Sequence, residues 1–139
     1  VGVVLAGHLA GFPDGVLAGV GTSPCPARAW TEARTALRFT TVRTPVISHD
    51  DLGALALLAH VPVEVLRANA DVVALTALSE EDRDTLDAYC ATGSLRRAAD
   101  LLHLHHSSVS RRLDQIGRSV DVSDLARTKL ALAALKLLD

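Results

Sequence analysis

The sequence predicts an α+β chain, in which a small α/β piece over residues 1–50 is followed by an all-α remainder. Three observations lead there. The strand candidates, short apolar or β-branched runs at 1–6, 16–20 and 45–48, fall only in the first fifty residues. Beyond them the apolar residues follow the helical period, interrupted at Pro62, Asn69-Ala70-Asp71, Ser79-Glu80-Glu81-Asp82 and Thr92-Gly93-Ser94. A hydrophobic content of 49% in 139 residues supplies a packed core for one ordinary domain or two small ones.

Taken in order, the runs at 1–6 and 16–20 flank Gly11-Phe12-Pro13-Asp14-Gly15 and read as a β-hairpin with a loop of several residues. Gly21-Thr22-Ser23-Pro24-Cys25-Pro26 breaks the second strand. Ala29, Ala33, Ala36 and Leu37 then recur at helical spacing, so a helix over 27–39 should pack on the sheet. A further short strand is expected at 45–48, and His49-Asp50-Asp51 is a polar break before the next helix. The stretch 51–78 reads as a helical connector. Ser79 supplies an N-cap and Glu80, Glu81 and Asp82 suit the first-turn dipole, so a helix opens there, runs to about Ala91 and stops at Gly93. Ser123-Asp124 opens the last helix in the same way, closing a domain over 79–139. Its end is rich in leucine (Leu130, Leu132, Leu135, Leu137, Leu138) and calls for a partner surface, which motivates an alternative role as a helical protein-interaction or dimerisation module.

Several function classes are disfavoured. Asp14, Arg28, Asp50, His60 and Glu64 interrupt every apolar stretch well short of a membrane span, and residues 1–8 lack a basic leader, so no membrane partner and a cytoplasmic location are expected. Cys25 and Cys90 stand apart, as reduced intracellular thiols do. No methionine is present, and the sequence is expected to be a piece of a longer protein. The acids at Asp50-Asp51 and Glu80-Glu81-Asp82 precede helices, where capping explains them better than acid-base chemistry. Gly19-Val20-Gly21 lacks the spacing of a phosphate-binding loop and reads as a strand end. Ser107 and Ser108 are near histidines but in no Gly-x-Ser-x-Gly elbow. His103, His105 and His106 are close in sequence, but the turn they occupy should splay their side chains, so no metal site is expected. The chain is expected to be no enzyme and to need no cofactor.

The formal charge of -2 conceals a strong asymmetry. Between Asp71 and Tyr89 lie six acids (Asp71, Glu80, Glu81, Asp82, Asp84, Asp87) and one base, Arg83. Between Leu95 and Arg118 lie five arginines (Arg96, Arg97, Arg111, Arg112, Arg118) against Asp100 and Asp114, with three histidines besides. This basic segment reads as two helices about a tight turn. Leu95, Ala98, Ala99 and Leu102 form a buried stripe on the first, with alanines where a second helix must approach closely. Leu104 is expected to plug the space between them, and Val109, Leu113 and Ile116 give the second helix its inward stripe. The other face carries His105, His106, Ser107, Ser108, Ser110, Arg111 and Arg112, hydrogen-bonding or basic groups gathered at the helix's N-terminal half. That is the end a recognition helix presents to base edges in the major groove of double-stranded DNA. Ser108 and Arg111 are expected to face the groove, with His106, Ser107 and Arg112 on bases or backbone and Arg96 or Arg97 on phosphate.

The segment from Ala98 to Leu113 resembles the C-terminal helix-turn-helix of PucR/CdaR-type bacterial regulators: an alanine pair, a leucine, "hydrophobic-His-Arg-Asn-Thr", then "Arg-Tyr-Arg-Leu". Upstream, Thr85-Leu86-Asp87-Ala88-Tyr89 is similar to that family's "Thr-Leu-x-x-Tyr" helix, and Val120-Asp121-Val122-Ser123-Asp124 through Leu135 to its closing turn and helix. His106-Ser107-Ser108 stands where the family has Arg-Asn-Thr, and Ser110 replaces an arginine, so the resemblance carries the fold and not the DNA target. Gly93-Ser94-Leu95 with Ser107–Arg111 also resembles the LysR-type motif, which lies near the chain start in that family and not after an α/β piece. The PucR/CdaR resemblance implies a GGDEF-like domain before the helices, to which Gly19-Val20-Gly21-Thr22-Ser23, the 27–39 helix and 46–52 would correspond. No Gly-Gly-Asp/Glu-Glu-Phe signature is present, so nucleotide cyclisation is not implied. A symmetric operator further implies a homodimer.

Overall fold

The computed structural model describes residues 11–138, and the strand expected at 1–6, with its hairpin, lies outside the described residues. The chain divides into two compact units, Val1–Ala56 and Leu57–Asp139.

In the first unit β1 (Ala18–Val20) pairs in parallel with β2 (Val46–Ser48), Gly19 opposite Ile47. Parallel strands need a crossover, and α1 (Pro26–Leu37) supplies it. Proline at the first helical position costs no hydrogen bond and fixes the entry. Gly19 and Gly21 let β1 lie directly on the α1 backbone: a methyl at Gly19 would collide with the Ala33 carbonyl and the Leu37 amide, and one at Gly21 with the Ala29 carbonyl. This close approach, not a phosphate cradle, is what the two glycines serve. Glu32 on α1 is almost wholly buried and accepts hydrogen bonds from the Thr22 and Ser23 amides (3.1 and 3.0 Å) and from Arg28 Nε (3.0 Å). Burial pushes its carboxyl up, but the Ser23 amide, Arg28 and the Thr22 amide together hold it below its ordinary value. The short α2 (His49–Leu52) follows β2 and buries Leu52; Ala36 and Phe39 are the other buried apolar residues described here.

A 3-10 helix, Gly53–His60, precedes the helices of the second unit: α3 (Val63–Ala68), α4 (Ala70–Thr76), α5 (Glu80–Thr92), α6 (Leu95–Leu102), α7 (His106–Ile116) and α8 (Leu125–Lys136). No strand occurs after Ser48 among the described residues. The helix ends are legible in their caps. Ser79 Oγ accepts from the Asp82 amide (3.1 Å), and Asp124 Oδ1 from the Arg127 amide (3.0 Å). Gly93 ends α5 in the left-handed region, φ 62°, its amide donating to the Tyr89 carbonyl.

The core of this unit joins Leu75 of α4, Leu86 and Ala88 of α5, Ala98 and Ala99 of α6, Val109, Leu113 and Ile116 of α7, and Ala131 and Leu132 of α8. The 51–78 stretch thus contributes α4 to the core. The leucine-rich tail is also largely consumed here: Leu132 and Leu137 are buried and Leu135 packs against the cluster, leaving Leu130 half-exposed. The leucines that suggested a partner surface have found one within the domain. Leu104, expected as a plug, is 38% exposed instead. It is its amide, bonded to the Ala99 carbonyl, that serves the turn.

Ion pairs tie the outer helices to this core. Arg127 on α8 grips Asp71 on α4 through two bonds of 2.7 Å, and Lys136 on α8 reaches Asp87 on α5 (3.3 Å). The Arg127 guanidinium holds the Asp71 carboxyl below its usual value, and the Ser123 hydroxyl and amide do the same for Asp121. A carboxylate whose pKa is lowered by folding stabilises the fold above its unfolded value and stops doing so as pH falls through its folded one. The second unit should therefore hold its stability from neutral pH to about pH 4 and lose it progressively below. Denaturant midpoints at descending pH check this; Asp71→Asn should flatten the acid limb, and an unchanged limb would exclude the pair as its source.

Candidate nucleic-acid interface

The α6–α7 turn is built by a specific backbone device. His103 is in the left-handed conformation (φ 55°), the sole described non-glycine residue there. Its amide donates to the Asp100 carbonyl (3.2 Å) and that of Leu104 to the Ala99 carbonyl (2.9 Å), the nested pair that closes a helix C-terminus. The turn leads straight into α7. Because a side chain at positive φ carries strain, His103→Gly should raise stability by about 1 kcal/mol. Thermal melts check this, and a lowered midpoint would mean that the imidazole makes a stabilising contact.

His105 caps α7: its Nδ1 accepts from the Ser107 amide (3.4 Å) and lies 2.8 Å from Ser107 Oγ. Accepting there requires Nδ1 unprotonated. The His105 and His106 rings pack with centroids 4.3 Å apart, so these two side chains do not splay as expected. Even so, among the described residues no group of three or more His, Cys, Asp or Glu is placed to hold a metal ion. Cys90 offers no thiolate at neutral pH, since burial and the neighbouring Asp87 push its thiol up to about 11.

On α7 itself Val109, Leu113 and Ile116 turn inward. Ser107 and Arg111 are exposed on the opposite side, and His106 is exposed as the first residue of the helix, all near its N-terminus and positive dipole end. Ser108 and Ser110 are half-buried and lie on the flanks, so Ser108 is less outward than Arg111. Ser110 borders an open recess of about 350 Å³ shared with Tyr89, Leu95, Leu113, Asp114, Gly117, Arg118 and Val122. Arg112 turns back onto α5. Its Nη2 is 2.8 Å from Glu81 Oε2 and its Nη1 donates to Thr85 Oγ1 (3.5 Å), with the arginine side chain 29% exposed. Its partner lies 31 residues away, beyond the reach of a local sequence pattern. Arg96 and Arg97 are exposed in the first turn of α6. The structure thus gathers the candidate residues onto α6, the turn and α7, with Arg112 engaged by Glu81. Gln115, on the exposed face one turn beyond Arg111, was not among the candidates although its i+4 spacing marks it.

Residues 83–136 match the family of the PucR C-terminal helix-turn-helix domain, from within α5 to the end of α8. No curated protein and no solved structure matches the chain. The match supports a DNA-binding, regulatory role in general for these residues. Among the described residues no helix is long and apolar enough to cross a membrane.

Proposed function

We propose that the second unit is the DNA-binding domain of a bacterial transcriptional regulator, and that α7 lies in the major groove of a promoter site. The observation that carries this reading is the two-sidedness of α7: its apolar stripe is fixed to α5, α6 and the core, while Ser107 and Arg111 stand outward. In this reading Arg111 and Ser107 face base edges, and His106, Ser108 and Ser110 meet bases or backbone at the groove margins. Arg96 and Arg97 hold phosphate oxygens from α6. His105 contributes through the cap, and Arg112 through its pair with Glu81 on α5. The regulator acts as a homodimer, its two motifs about 34 Å apart on successive major grooves. The β-α-β unit is read as the close of a GGDEF-like domain with a structural or sensory role.

Fluorescence anisotropy with duplex DNA from the regulator's own upstream promoter and with random duplex, at about 50 and 200 mM salt, tests the reading. Promoter preference with affinity falling steeply in salt is the expected result. A folded protein that binds neither duplex at low salt would overturn it.

A further inference from the structure

The outward stripe of α7 continues past Arg111. Gln115 is exposed four residues on, with Asp114 beside it, while Val109, Leu113 and Ile116 occupy the buried side. Among the described residues neither Arg111 nor Gln115 has a side-chain hydrogen bond or ion pair, whereas Arg112 is held by Glu81. Both stripe residues therefore keep their polar groups free for a ligand. They are also side chains that meet base edges through two bonds at once: a guanidinium matches O6 and N7 of guanine, and a carboxamide matches N6 and N7 of adenine.

Asp114 bears on where this stripe rests. Its carboxylate is repelled by phosphate oxygens and by base acceptors alike, so α7 is expected to lean with Gln115 toward the bases and Asp114, about 100° round the helix, away from them.

Resting on the assignment of α7 to the groove, we propose that Arg111 and Gln115 are the specificity-determining pair, Arg111 reading a guanine and Gln115 an adenine. Four residues of helix rise about 6 Å, roughly two base-pair steps of 3.4 Å for a helix lying along the groove. Each half-site then carries a G·C and an A·T pair about two steps apart. Asp114 keeps non-specific binding weak.

The test is selection of bound duplexes from a randomised library, followed by anisotropy titration, with the wild-type chain, Gln115→Ala and Gln115→Arg. Gln115 is exposed, so both variants should fold, which circular dichroism verifies. The wild type should enrich G·C and A·T at that spacing. Gln115→Ala should lose preference at the A·T position alone and bind the selected site roughly ten- to a hundredfold more weakly. Gln115→Arg should move the preference at that position to G·C, a change that a merely structural residue would not produce. If the wild type selects a site and both variants select the same one, the Gln115 assignment is overturned while the groove reading stands. Binding without any sequence preference overturns the pair as well. If the wild type binds no duplex, the groove reading fails with it.

Discussion

Arg111→Glu is expected to weaken binding to duplex DNA by at least about 100-fold at low salt, with the thermal midpoint essentially unchanged. Two effects act together: a guanidinium free for the groove is lost, and a carboxylate is placed where base acceptors and phosphates converge. Stability should be indifferent, because Arg111 is exposed and has no side-chain partner among the described residues. Arg112→Ala makes the contrast. It removes the pair with Glu81, which is 76% exposed, so it should cost about 0.5 kcal/mol and loosen α7 without inverting the charge of its outward stripe. Anisotropy titrations beside thermal melts separate the two. An Arg111→Glu protein that binds like wild type would show that the outward face of α7 is not the contact surface.

How much of this was legible in the sequence depended on the range of the interaction. Local devices read directly. Ser79, Gly93 and Asp124 mark helix ends because their side chains or φ angles satisfy the helix termini within a few residues, and the Val109-Leu113-Ile116 stripe needs only the helical period. Long-range choices did not read. That β1 pairs in parallel with β2 across α1 depends on a contact about 28 residues apart in sequence. The engagement of Arg112 by Glu81, and the burial of Leu132 and Leu137 against their own domain, are likewise invisible to a pattern that sees one helix at a time. Leu104 was misjudged because its part in the turn is played by its amide, not its side chain. His105 stands outside the usual set of capping residues, and its role follows from an Nδ1 that reaches the second amide beyond it. Gln115 is a different case. Its spacing from Arg111 was available, but it sits in the C-terminal half of a helix whose N-terminal residues ordinarily carry base contacts.

Residues on opposite faces of α7 should therefore fail in opposite ways, and Ile116→Ala is the other extreme. Ile116 is among the largest fully buried side chains, packed in the cluster that joins α4, α5, α6 and α8 to α7. Truncating it removes apolar burial and leaves a cavity that neighbouring helices, crossed through alanines, cannot readily fill. The expected cost is about 2–5 kcal/mol. For a unit of this size that lowers the thermal midpoint by roughly 10–20 °C or more. Ile116→Val, which removes a single methylene, should cost only about 1 kcal/mol, and the neighbouring Gln115→Ala less than about 0.5 kcal/mol. The selected DNA sequence should be the same for Ile116→Ala as for wild type wherever the variant is folded, because no group that reads a base has changed. Denaturant titration of the three variants, with site selection on the folded fraction, checks both halves. A small loss at Ile116 would mean that α7 is held chiefly by the Arg112–Glu81 pair and the caps, and the rigid seating on which groove recognition depends would have to come from them.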